Sequence, residues 1–205
     1  MANVLNNGTV SLVESMGRDA AVIRNARRCW RSSSKGQESD AKLIRHLLRA
    51  GHKSPFEAMV FTFDVKAPLF VARQWFRHRM GSFNEESLRY CTASRDFFVP
   101  EDLAPQLLDA WNLHNNRSFD LYEQLTGAGV PKEQARSVLP MGIYTRFYWT
   151  VNGSSLMNFL TLRLDRHAQP EIRVYARAIL GQAQEAAPVC FGEFASEVLT
   201  SDGCS

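Results

Sequence analysis

Apolar and polar positions along the 205 residues switch repeatedly between a two-residue and a helical period, and those switches mark the elements. TVSLVES (9 to 15) alternates as a strand does, and RDAAVIRNARRCW (18 to 30) then carries its apolar residues at helical spacing. SSSKGQESD reads as a loop, after which Asp40 can cap a helix running to about Leu48, with Leu43, Ile44, Leu47 and Leu48 on the buried side and Gly51 as its stop. Ser54-Pro55 is turn chemistry. VFTFDVK sets Phe61, Phe63 and Val65 against Thr62, Asp64 and Lys66, the pattern of a half-buried strand. Pro68 suits the first turn of a helix, LFVARQWF, that delivers Arg77, His78 and Arg79 at its C-terminal end.

Residues 82 to 100 read as irregular or edge-like. Leu107, Leu108, Trp111, Phe119, Tyr122 and Leu125 mark a long helix or helix pair over 103 to 125. TGAGVPKEQA follows it as a helix cap and turn rather than a phosphate cradle. IYTRFYWTV (143 to 151) is β-branched and aromatic, hence a buried strand closed by Asn152-Gly153. Ser154 or Ser155 then caps a helix to Leu162, and a last helical region starts near His167 to Pro170 and ends at Ala187. Strands and helices mix without regular βαβ spacing, so the expected class is α+β in a single domain, helices packed on a small sheet.

Composition narrows the function. Apolar residues at 45% and charged ones at 22% are ordinary globular usage, and no eighteen-residue apolar run or charged leader is present, so a cytoplasmic protein without membrane contact is expected. Cys29, Cys91, Cys190 and Cys204 form no C-x-x-C pair, which suggests reduced thiols and no metal site. The net charge of +3 is too small to advertise a nucleic-acid surface, but it is made of nineteen Arg against five Lys. Arginine's planar fork grips phosphate and carboxylate oxygens in pairs, so the bias favours anion sites. G-x-G-x-x-G after a strand, the P-loop, H-E-x-x-H and G-x-S-x-G are all missing, which removes the commonest nucleotide, zinc and serine-nucleophile readings.

The density of candidates peaks in WFRHRMGSFNEESLRY (75 to 90), with Arg73 just before it and Arg95 just after. Either the neighbouring Glu85 and Glu86 neutralise these arginines or the cluster clamps anions. Ser87 lacks a local base and suits hydrogen bonding better than nucleophilic attack. His52 is a capping, surface or pocket residue. Arg146 sits in an otherwise apolar strand, where an unpaired charge costs several kcal/mol, so it needs a partner. LRLDRHAQPEIR places Arg163, Arg166, His167 and Arg173 near a helix start, where free N–H groups also favour anions, with salt bridges to Asp165 and Glu171 as the alternative.

R-H-R followed by seven residues and Ser87, within N-E-x-S-x-R-Y, resembles the signature of the flavin-dependent thymidylate synthases. The resemblance extends over GHKSPFE, FTFDVKAPLFVARQWFRHR, LPMGIYTRFYWTVNGSSLMNFLTLR and HAQPEIR. One position departs: the family often has histidine after P-F-E, where this chain has Ala58. The resemblance implies a methyltransferase that converts dUMP to dTMP with FAD, 5,10-methylenetetrahydrofolate and NADPH, and a homotetramer whose active sites are shared between chains. By position it implies that Gln74, Arg77, Glu85, Ser87, Arg89, Arg146 and Arg173 hold dUMP. It further implies that Ser54, Arg77, His78, Arg79, Met80, Glu85, Arg163 and His167 hold FAD, with His52 beside the flavin and Arg173 favouring the ionised pyrimidine. No enzymic thiolate is required by such chemistry, in contrast to the cysteine route to thymidylate. The competing reading is a single-stranded nucleic-acid or nucleotide-binding module in which Trp75, Phe76, Phe83 and Tyr90 stack bases.

Overall fold

A computed structural model describes residues 1–29 and 31–201, with side chains through 196 apart from position 30. Cys204 lies outside the described residues. The strands are β1 (Ala2–Val4), β2 (Gly8–Met16), β3 (Val60–Pro68), β4 (Ser82–Glu85) and β5 (Tyr144–Asn152). The helices are α1 (Arg18–Arg28), α2 (Gln37–Arg49), α3 (Leu69–Trp75), α4 (Pro105–Gly127), α5 (Lys132–Ala135), α6 (Gly153–Leu164), α7 (Pro170–Ala186) and α8 (Pro188–Ser201). All five strands form one antiparallel sheet in the order β1-β2-β3-β5-β4, so the mixed α+β expectation holds.

The alternation in VFTFDVK does what the period requires. Phe61, Phe63, Val65 and Ala67 are fully buried, and Phe147, Trp149 and Val151 of β5 join them on the same face beneath α6, α7 and α8. The opposite face carries Thr62, Asp64, Arg146, Tyr148 and Thr150 and is open. That refines the reading of 143 to 151 as a buried strand: residues alternate, and Arg146 points to the open side with its side chain 63% exposed. In β2 the register shifts between Leu12 and Glu14, a bulge that turns Val13 outward, 51% exposed.

Several boundaries differ from the sequence reading for local reasons. Helix α2 starts at Gln37, behind Gly36, because Asp40 accepts from Arg27 and Ser34 instead of capping. The cap of α6 is Asn152, whose side chain accepts from the Ser155 amide at 2.8 Å, so neither Ser154 nor Ser155 does that job. Pro68 ends β3 and is also the N-cap of α3, one position before the first turn. Strand β1 and helix α8 were not expected. Ala187 breaks α7, and Asp19 of α1 then accepts from the Val189 and Cys190 amides at 3.0 and 2.8 Å, capping α8 from 170 residues away in sequence. Such a long-range cap leaves no local signature. Among the described residues no helix is long and apolar enough to cross a membrane.

Candidate functional site

Helix α3 is short, and it is anchored rather than exposed. Trp75 is completely buried, its ring 5.0 Å from Phe159, 5.4 Å from Phe147, 5.5 Å from Trp149 and 5.7 Å from Tyr175. The chain leaves the helix immediately afterwards, with the His78 amide still bonded to the Trp75 carbonyl at 3.0 Å. Arg77, His78, Arg79 and Met80 therefore emerge at a fixed place on the rim of the core. Gly81 lets the strand return, since a Cβ there would lie 2.8 Å from Trp149 Nε1. Strand β4 then pairs with the edge of β5, in line with the edge-like expectation for this stretch.

The four residues line a cleft of about 550 Å³ together with Arg163 from α6 and Lys53 and Glu57 from the turn before β3. That is the usual size of a small-molecule site. Arg163 Nε donates to His78 Nε2 at 3.0 Å, and Arg163 Nη2 reaches the Gln74 carbonyl at 3.5 Å. Because Nε2 accepts, the proton of a neutral His78 sits on Nδ1. Burial, aided by the Arg163 charge, pushes the His78 pKa down to about 4, so the ring is neutral at physiological pH, and burial also lowers the pKa of Arg163. The unfolded chain takes up this proton first as pH falls, so folding stability declines from about 6.5 toward about 4. His78→Gln is expected to lose less stability over that window than the unmodified chain, read as the shift in urea midpoint between pH 7 and pH 5. Equal shifts would mean that His78 titrates as a free imidazole.

Among the described residues Arg77, Arg79, Arg89 and Arg173 make no salt bridge. Three of the carboxylates expected to neutralise them are engaged elsewhere. Glu85 accepts from Thr145 Oγ1 at 2.7 Å, Glu86 from the Arg146 amide at 3.1 Å, and Asp165 from the His167 amide at 2.7 Å and ring at 2.9 Å. Those His167 hydrogen bonds lower the Asp165 pKa. Glu171 keeps one buried oxygen with no partner. Arg95, counted by sequence with the cluster, leaves it: α4 supplies Asp120 and Glu123 as its partners. Arg146 does find the partner its position demanded, Asp64, at 2.8 Å from Nε, although on an open face the energetic need is small. Arg77 lies past the end of α3 and does not share a helical face with Arg73.

The remaining sequence-predicted residues divide between two neighbourhoods. Gln74, whose carbonyl meets Arg163, bonds Gln169 at the start of α7, and Arg173 in the first turn of α7 donates to the Arg166 carbonyl at 3.0 Å; neither lines the cleft. Glu85, Ser87, Arg89 and Arg146 gather instead around the end of β4, and none of them lines the cleft. Arg89 lies 5.5 Å over the Tyr90 ring. His52 lines two cavities, of which one shares Lys53, Ser154 and Asn158 with the cleft and the other is also lined by Ser54; His167 is exposed. Lys53, Glu57 and Asn158 are cleft residues that the motif reading passed over; the turn chemistry at Ser54-Pro55 was the available signal. Ala58 is not in the lining. Base stacking fails as an alternative because Trp75 is buried and Phe76 and Phe83 pack on the core, which leaves Tyr90 as the exposed ring of the four. No group of His, Cys, Asp or Glu among the described residues could hold a metal ion.

An α+β fold with a cleft of unpaired guanidiniums around a neutral imidazole is equipped to bind phosphorylated molecules, and its donor set fits a flavin nucleotide. The family described as thymidylate synthase complementing protein matches residues 11–189. A flavin-dependent thymidylate synthase of Thermotoga neapolitana is 48% identical over 199 residues, covering 93% of this chain and 92% of the relative. One from Thermus thermophilus is 42% identical over 212 residues, covering 96% and 78%. The solved structure of the UMP/dUMP methylase PolB from Streptomyces cacaoi, bound with 5-Br dUMP, superimposes with a TM-score of 0.88 at 32% identity over 95% of this chain and 97% of that one. The chain belongs to the flavin-dependent thymidylate synthase family and is a flavoprotein methyltransferase.

Proposed function

We propose that this enzyme methylates the uracil of dUMP to dTMP, with FAD as the flavin, 5,10-methylenetetrahydrofolate as carbon donor and NADPH as the source of electrons. The observation that supports this most is that Arg77, Arg79 and Arg173 make no salt bridge, while Glu85, Glu86 and Asp165 are taken by Thr145, the Arg146 backbone and His167. Guanidiniums kept clear of their own acidic residues are available to ligand phosphates and to a developing anion.

The uracil loses its C5 proton, gains the folate's methylene carbon there, and needs two further electrons to end with a methyl group; bound flavin supplies that hydride chemistry. The protein's part is positioning and charge. Arg77, Arg79, Met80, Ser54, Arg163 and His167 are assigned to FAD. His78 can only donate from Nδ1, because its other nitrogen is filled by Arg163. His52 is placed beside the flavin. Arg173, in a helix's first turn where unpaired amides also attract negative charge, is assigned to the pyrimidine in its ionised form, with Gln74 and Arg77 on the same nucleotide. Glu85, Ser87, Arg89 and Arg146 complete the dUMP set, with Glu85 also meeting FAD. Their separation from the cleft supports a homotetramer in which a neighbouring copy brings them in.

No thiol is given a role. Burial and the Asp19 hydrogen bond push the Cys190 thiol far above its ordinary value, so it is protonated and inert. The test is release of tritium from C5 of labelled dUMP with FAD, folate and NADPH omitted in turn. Turnover should require all three, and dTMP formation without flavin would overturn the reading. Cys91→Ser, altering the exposed thiol nearest the cluster, should keep at least half of the activity, whereas complete loss would revive a covalent cysteine route.

A further inference from the structure

A second cationic cavity, of about 840 Å³, opens at the end of α1 and is lined by Arg24, Arg28, Arg31 and the hydroxyl side chains of Ser32, Ser33 and Ser34. Its one lining carboxylate, Asp40, is already engaged, accepting from Arg27 Nε and Nη2 at 3.1 and 2.6 Å and from Ser34. The guanidiniums of Arg24, Arg28 and Arg31 have no carboxylate partner among the described residues. The helix dipole accounts for cations at Arg27 and Arg28 in the last turn. It gives no reason for Arg24, a turn earlier, or Arg31, beyond the helix, to face the same space.

The cavity also stands in a row of neighbours. It shares Arg27 and Ser32 with one of about 800 Å³ that contains His46 and His52. That cavity shares Leu47 and His52 with a smaller one of about 260 Å³, which in turn shares Lys53, Ser154 and Asn158 with the cleft at Arg77 and His78. A row of neighbouring cavities from three unpaired arginines to the candidate flavin cleft suits a long ligand that is reactive at one end and strongly anionic at the other. A phosphomonoester, with three acceptor oxygens and close to two negative charges, matches three guanidinium forks and the hydroxyls of Ser32 and Ser33 better than a single carboxylate does.

We propose that Arg24, Arg28 and Arg31 receive the 2′-phosphate of a phosphorylated nicotinamide dinucleotide and so make the enzyme prefer it to the unphosphorylated form. The inference rests on the reading above that such a dinucleotide is the reductant. The experiment compares NADPH and NADH as reductants in the unmodified enzyme and in the double variant Arg28→Ala/Arg31→Ala, both positions being exposed. The variant should raise KM for NADPH by roughly ten- to a hundredfold, from the usual strength of charge-assisted hydrogen bonds, while KM and kcat with NADH stay unchanged. Calorimetry with adenosine 2′,5′-bisphosphate should show binding to the unmodified enzyme that the variant loses, and adenosine 5′-monophosphate should not distinguish the two. Equal KM values for both dinucleotides in the unmodified enzyme would overturn the proposal, as would an unchanged NADPH KM in the variant. A rise confined to the KM of a pentaglutamyl folate would do so too, by assigning the cavity to a carboxylate tail. If neither dinucleotide reduces the unmodified enzyme, the reductant reading fails on its own, and the calorimetric arm decides whether the cavity holds a phosphomonoester.

Discussion

Arg173→Ala is expected to lower dTMP formation by about 10²- to 10³-fold, the usual effect of removing one donor aimed at a developing anion, while the protein still purifies with flavin. Arg173 is held in the first turn of α7 by one bond to the Arg166 carbonyl at 3.0 Å and by no carboxylate. Its loss therefore breaks no ion pair, and stability should change little. Arg173→Lys should not rescue turnover, because an ammonium is a point charge without the planar fork that pairs with a pyrimidine edge. The measurements are initial rates at saturating dUMP and the flavin absorbance per protein. Unchanged turnover in Arg173→Ala would remove the residue from the site, and joint loss of flavin and turnover would move it from the pyrimidine to the cofactor.

The part of the cleft formed by Arg77, His78, Arg79 and Met80 was legible in the sequence because cations and a histidine stand together directly behind two aromatic residues. Alternating Phe61, Phe63 and Val65 gave β3 its buried face, and R-H-R directly behind Trp75 and Phe76 placed the arginines at the rim of the core. What stayed hidden depends on contacts between distant segments. Helix α8 is capped from α1, Arg95 is drawn away by α4, and Glu85 and Glu86 are claimed by β5, none of which has a local signal. Arg146 shows the reverse error. An aromatic, β-branched run looks buried on both sides, but an antiparallel sheet with helices on one face leaves the other to polar groups, and Arg146 with Asp64 belongs there.

The same dependence on tertiary context makes Trp75→Ala the most damaging single substitution for the fold, expected to cost about 3–5 kcal/mol. The ring is fully buried among Phe147, Trp149, Phe159 and Tyr175, so truncation opens a cavity at the junction of β5, α6 and α7 that these large side chains cannot close without leaving their rotamers. Trp75 Nε1 has no hydrogen-bond partner, so the indole contributes through shape rather than polarity. Trp75→Phe should accordingly cost clearly less than Trp75→Ala. Function should follow the fold here, because the Trp75 carbonyl holds the His78 amide, and Phe159, which packs on the Trp75 ring, also packs on the His78 ring. Urea unfolding at one fixed protein concentration measures the loss, and flavin content after purification measures its effect on the cleft. A midpoint within about 0.5 kcal/mol of the unmodified protein, the range of ordinary surface substitutions, would show that Trp75 is not the anchor of this rim.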